Sequence, residues 1–143
     1  MSEQNKATMR HGIEEVWNRG NFDVADEIIA RDFVAYTPGQ EDDIHGPEGV
    51  KQYIGALRAA FPDLNFTIED QIAEEDRVVA RWVARGTHQA AFNGIPPTGK
   101  RVEFSGLSIN RFANGKVVEG WMHPDRLGLL QQLDVLKAPE PTG

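Results

Sequence analysis

Apolar residues recur at helical spacing in the first part of the chain and at alternate positions from Leu64 onward, which predicts helices first and a sheet after them. Met9, Ile13, Val16 and Trp17 form one stripe, and Gly20 is placed to stop that helix. Asn21 is suited to cap a short second helix through Ile29, burying Ala25, Ile28 and Ile29, and "FVAY" reads as a brief strand. After the loop "TPGQEDDIHG", Pro47 suits a first helical position. Val50, Ile54, Leu57 and Phe61 then share a face until Pro62 prevents continuation.

Leu64, Phe66 and Ile68 alternate with polar residues and lead through a turn at "EED" into a second strand from Arg77 to about His88. "NGIPPTGK" is a connection, "RVEFSGLSINRF" a third strand, and Asn114-Gly115 a hairpin turn into "VVEGWMHPD". A short helix to about Leu136 and a frayed tail over residues 137–143 complete the chain. The prediction is a single α+β domain over residues 1–143, with its core over about residues 6–136. Its N-terminal helices pack on a curved antiparallel sheet that curls into a cone-shaped α+β barrel and encloses a pocket at the open mouth.

Composition narrows the function classes. The 143 residues, 40% hydrophobic and 26% charged, match an ordinary globular domain that buries about two thirds of its unfolded surface. A net charge of −7 with scattered Lys and Arg gives no footprint for nucleic acid or an anionic membrane. Without cysteine there is no disulfide, thiolate nucleophile or Cys-ligated zinc. No apolar run reaches signal-peptide or membrane-span length, so a cytoplasmic protein is expected.

On the last strand, Val117, Glu119, Trp121, His123 and Asp125 share one face by simple alternation, and Val118, Gly120 and Met122 the other. If the odd face lines the cone, an apolar base gives way to an aromatic wall and two titratable groups near the mouth. A carboxylate desolvated there would suit general acid or base chemistry. Two other roles stand beside that one: Asp125 as the N-cap of the last helix, and His123 as a solvent-facing strand residue. His88 either bonds a ligand oxygen or packs beneath the "IPPTG" loop. Phe33, Tyr36, Tyr53, Trp82 and Trp121 are candidates for an aromatic-lined pocket, or for core. His88, His123 and Asp125 have no spacing that demands convergence, so no metal is expected. Arg81, Arg85 and Arg111 are expected on a solvent-facing sheet surface or paired with Glu103, Glu119 or Asp125. Ser105 and Ser108 lack a nucleophile elbow, and "GIPPTGK" lacks the phosphate-loop frame.

The stretches "AFPDL", "DRVVARWVARGTH", "GIPPTGK", "INRFANGKVVEGW" and the final "D" with "LGLLQQL" together resemble the SnoaL-like polyketide cyclases, or ester cyclases, of the nuclear transport factor two-like superfamily. The resemblance runs from roughly Ile13 to Leu133. It implies an oligomeric α+β cone whose best-known members close a ring by intramolecular aldol condensation, without metal or cofactor, through an Asp that matches Asp125. Three places depart from the family pattern: Tyr36 where members often have His, "HQAAF" for a Gly-containing run, and Arg111 near a supporting His position.

The expected activity is cofactor-independent ring closure. Asp125 would act as acid/base, His88 or Tyr36 would steady the enolate, and Trp82 and Trp121 would hold a small apolar or aromatic carbonyl-containing ligand. A same-fold isomerase or hydrolase and a non-catalytic ligand-binding protein are the alternatives. A homodimer is expected, because an outer sheet face carrying Val and Leu would otherwise be exposed.

Overall fold

A computed structural model describes residues 2–38 and 42–135. The elements, in order, are α1 (Ser2–Gly12), a π-helical segment (Ile13–Asn18), α2 (Asp23–Ile28), β1 (Ile29–Tyr36), β2 (Ile44–His45), α3 (Gly46–Ala60), β3 (Asn65–Glu74), β4 (Arg77–Thr87), β5 (Arg101–Ala113), β6 (Lys116–Pro124) and α4 (Arg126–Gln132). The helices lie against one face of an open six-stranded sheet in the order β2-β1-β6-β5-β4-β3, a cone-shaped α+β fold.

Several local signals act as the pattern predicts. Gly20 adopts φ +71° at the first stop, Pro47 opens α3, and Asn114 and Gly115 take positive φ in the β5–β6 hairpin. Other elements differ. The stripe of the first helix is kept, but its second half winds as a π-helix. Asn21 does not cap α2 with its side chain; its backbone carbonyl accepts from Val24 N–H instead. The last helix ends at Gln132 and the chain turns, with Asp134 at φ +61°, before Leu136. The expected tail lies outside the described residues.

The sheet is mixed, a correction to the antiparallel expectation. Neighbouring strands are antiparallel except β1 and β6, which run parallel. A parallel pair needs a long crossover, and here everything from β2 to β5 serves as that connection. Register shifts in the β1–β6, β3–β4 and β5–β6 pairs add the bulges that bend the sheet around the helices.

The concave face of β4 contributes Val78, Ala80, Trp82 and Ala84, which meet Ile54, Leu57 and Phe61 from the α3 side. Burying a side chain such as Ile54 or Phe61 stabilises the fold by roughly 2 kcal/mol. The convex face carries Arg81 and two ion pairs, Arg85–Glu103 at 2.9 Å and Arg111–Glu119 at 3.0 Å. Among the described residues no helix is long and apolar enough to cross a membrane.

Candidate functional site

Between the helices and the concave sheet face lies a cavity of about 110 Å³, well above the roughly 10–15 Å³ that holds one water. Its walls are mostly apolar, with Met9, Ile13 and Trp17 from the helix side and Phe33, Trp82 and Met122 from the sheet. The π-helical segment sets the helix wall. Asn18 clamps β3 by accepting from Phe66 N–H at 2.7 Å and donating to Phe66 C=O at 2.9 Å. Arg58 donates to the free carbonyls of Trp17 and Asn18, satisfying the frayed helix end. Trp17 is thereby held edge-to-face against Phe66 at 5.1 Å, and Phe66 against Trp82 at 5.0 Å.

A smaller cavity of about 30 Å³ lies beside the first, with Trp17, Tyr53, Phe66, Trp82 and Met122 as shared walls. Its other walls include Phe92, Leu129 and Arg126, so the main arm and this smaller arm of the site border on the same, mostly aromatic residues.

The face assignment on β6 requires correction. Arg111 pairs with Glu119 but Phe112 with Val117, so Val118 is an inserted bulge residue. Past the bulge the parity flips, and Gly120 and Met122 point inward while Glu119 and His123 point outward. A single extra residue moves every later side chain to the other face.

The candidates therefore separate. Phe33, Tyr53 and Trp82 line the main arm, while Trp121 borders it from β6 with its ring turned to the convex face. Tyr36, His88, His123 and Asp125 line neither arm. Tyr36 packs on Trp121 at 5.9 Å, and Arg77 lies 5.8 Å from the Trp121 ring, a cluster on the convex face. Partial burial, and after it the Glu119 carboxylate, raise the Tyr36 phenol above its ordinary pKa.

His123 and Asp125 are exposed. Asp125 accepts from Gly128 N–H at 2.9 Å as the N-cap of α4. His88 is fully buried and stacks on Phe61 at 5.3 Å. Its Nδ1 accepts from Thr98 N–H at 3.2 Å and lies 3.0 Å from Thr98 Oγ1, so the ring clasps the 89–100 connection to the end of β4. Among the described residues no three His, Asp or Glu side chains gather as a metal site.

The match to known proteins extends over nearly the whole length. The model of the SnoaL-like polyketide cyclase family fits residues 7–133. The chain belongs to the SnoaL-like polyketide cyclase family. It is 33% identical over 120 residues to the nogalonic acid methyl ester cyclase of Streptomyces nogalater, covering 82% of this chain and 88% of that one. Among solved structures, one from Jannaschia sp. CCS1 superposes with a TM-score of 0.86 at 25% identity, covering 96% of this chain and 95% of that one. IdmH from Streptomyces antibioticus gives 0.78 at 36% identity, covering 92% and 99% respectively.

Within this SnoaL-like fold, the sheet side of the main arm carries two polar residues that the strand reading passed over, Ser108 and Asn110. Ser108 Oγ accepts from Trp82 Nε1–H at 2.9 Å, which leaves its own proton free to donate. Among the described residues the Asn110 amide has no side-chain hydrogen bond, and neither has the Tyr53 hydroxyl. Burial pushes the Tyr53 phenol up from its ordinary pKa, while Arg126 opposes that shift. The signal for the strand pair was in the sequence. Phe104, Gly106, Ser108, Asn110 and Phe112 are alternate residues, so two polar groups interrupt an otherwise inward apolar face.

Proposed function

We propose that the protein closes a ring in a small, apolar, carbonyl-containing compound, without a cofactor, by an aldol-type reaction. The observation that carries this reading is the main arm itself, apolar on all sides but with Ser108, Asn110 and Tyr53 offering hydrogen-bond donors inside it. Apolar walls fold a flexible chain so that its carbon nucleophile and its carbonyl meet, which converts an encounter into a positioned intramolecular step. The donors stabilise the oxyanion that develops on the carbonyl as the C–C bond forms. A base takes the proton from the carbon beside one carbonyl, and the new alkoxide takes a proton back, so the product is an isomer of the substrate. Nogalonic acid methyl ester and aklanonic acid methyl ester, named for two relatives, are the substrates to try first.

For the proton carrier we propose Asp125, which stands between Pro124 and Arg126, both walls of the smaller arm. Its cap bond makes the decisive experiment clean. Asn caps a helix as well as Asp but cannot take up the proton, so Asp125→Asn is expected to keep the melting temperature and to lose turnover by about 100-fold or more. Chromatography with mass detection reads the isomer directly. Parental turnover in Asp125→Asn would remove Asp125 from the mechanism.

A second reading has its own support: no Asp, Glu or His is among the described residues lining either arm. A ligand-binding protein without catalysis fits that lining, and tight binding of either ester with no product would establish it. We also propose a homodimer through the convex sheet face, where Ile72 and Leu107 are 64% and 49% exposed.

A further inference from the structure

Of the three donors in the main arm, one is fixed before any ligand arrives. Trp82 on β4 and Ser108 on β5 are diagonal neighbours on the concave face, since Trp82 pairs with Gly106 and Ser108 with Ala80. Gly106 lets the indole cross β5, because a Cβ there would fall 2.5 Å from Trp82 Cη2. The ring is 3% exposed, lies edge-on to Phe66 and Phe104, and brings Nε1 to 2.9 Å from Ser108 Oγ. An indole N–H only donates, so the direction of this bond is set. Ser108 must accept, and its own hydroxyl proton, which has no acceptor among the described residues, is left for the cavity that the side chain lines. Nothing comparable holds the Asn110 amide or the Tyr53 hydroxyl, neither of which has a side-chain hydrogen bond among the described residues.

We propose that Trp82 is a positioning residue and that Ser108, which it aims, is the donor that meets the ligand's carbonyl oxygen where negative charge develops. Asn110 and Tyr53, free to turn, adapt to the rest of the ligand. A donor already aimed needs no reorientation when the charge appears, so it stabilises that charge more than a freely rotating hydroxyl does. Ser108 keeps its proton throughout and transfers nothing. The inference rests on the reading of the main arm as the site of a carbonyl ligand, and adds which donor is preset and what presets it.

The probes are 1-indanone, a flat ketone isotopically labelled at its carbonyl carbon, and indane, the same ring system without the oxygen. Infrared spectroscopy on the intact protein reads the carbonyl stretch, which falls when the oxygen accepts a hydrogen bond, and calorimetry reads both affinities. In the parental protein the bound ketone is expected to give one narrow band below its position in hexane. Ser108→Ala should raise that band and weaken the ketone about fivefold, the worth of one neutral hydrogen bond, while indane stays within about twofold. Ser108→Thr, which keeps the hydroxyl, should hold the band low, and Asn110→Ala should move it less than Ser108→Ala does. Replacing the Trp82 indole by benzothiophene keeps the ring shape and removes the N–H. The band should then broaden and rise, a change that a purely structural role of Trp82 would not produce. A parental band at the hexane position, an unmoved band in Ser108→Ala or a larger shift in Asn110→Ala would overturn the assignment of Ser108 and leave the main arm as the ligand site. A rise in Ser108→Ala with no change on removal of the indole N–H would overturn the role of Trp82. Failure of both probes to bind the parental protein would overturn the reading of the main arm as well.

Discussion

Gly106 is the point where the sheet makes room for the site, and replacing it tests that packing. A Cβ built there falls 2.5 Å from Cη2 of Trp82 and 3.0 Å from Cα of Pro124. Trp82 cannot yield easily, because its ring is edge-on to Phe66 at 5.0 Å and to Phe104 at 6.2 Å, and its Nε1–H is bonded to Ser108. Gly106→Ala should therefore cost about 2 kcal/mol, the middle of the range for overpacking, although alanine is otherwise the better strand residue. For a chain of this length that is a loss of about 6 °C in melting temperature. Urea unfolding followed by far-UV circular dichroism gives the free energy directly. The cause is isolated by repeating the substitution in Trp82→Phe, which lacks the offending ring atoms. Contact with Trp82 predicts that Gly106→Ala there costs at least about 1 kcal/mol less. An unchanged cost in that background, or a cost below about 0.5 kcal/mol in the parental protein, would refute the reasoning.

Asp63 accepts from Thr87 N–H at 2.6 Å and from Thr87 Oγ1–H at 2.8 Å, and the backbone bond, then the hydroxyl bond, holds its carboxyl below the usual pKa. A depressed folded pKa means stability that is present above the unfolded value of about 3.9 and lost as pH falls through the folded one. Asp63→Ala should thus lower the melting temperature at pH 7, with the gap to the parental protein closing in acid below about pH 4; a pH-independent gap would contradict this. Light scattering at micromolar concentration should return the mass of a dimer, and Leu107→Glu on the convex face should shift it toward the monomer. A monomeric mass for the parental protein would refute the dimer.

How much of the site was legible varies residue by residue. Phe33, Tyr53 and Trp82 were identifiable as cavity walls because large aromatics at helical and strand periods end up against a core, and here that core is hollow; Trp121, past the bulge, turns its ring to the convex face instead. Ser108 and Asn110 were legible in principle as polar interruptions of an inward face, but a search for nucleophile motifs does not look for them. The inward face of β6 was not legible. The Val118 bulge arises from how β5 and β6 pair, and nothing in "KVVEGWMHP" marks one of its two adjacent valines as extra.

By itself the sequence determined the order and kind of the elements, because periodicity, Gly20, Pro47 and Asn114-Gly115 act over a few residues and need no distant partner. It also determined the family, since the matching stretches span residues 7–133. Tertiary structure alone decided the parallel β1–β6 contact, the bulges, the buried clasp of His88 on Thr98 and the place of Arg126 on the wall of the smaller arm. Each of these depends on residues far apart in the chain meeting in one register, a choice fixed by the burial of a whole sheet face rather than by any local preference.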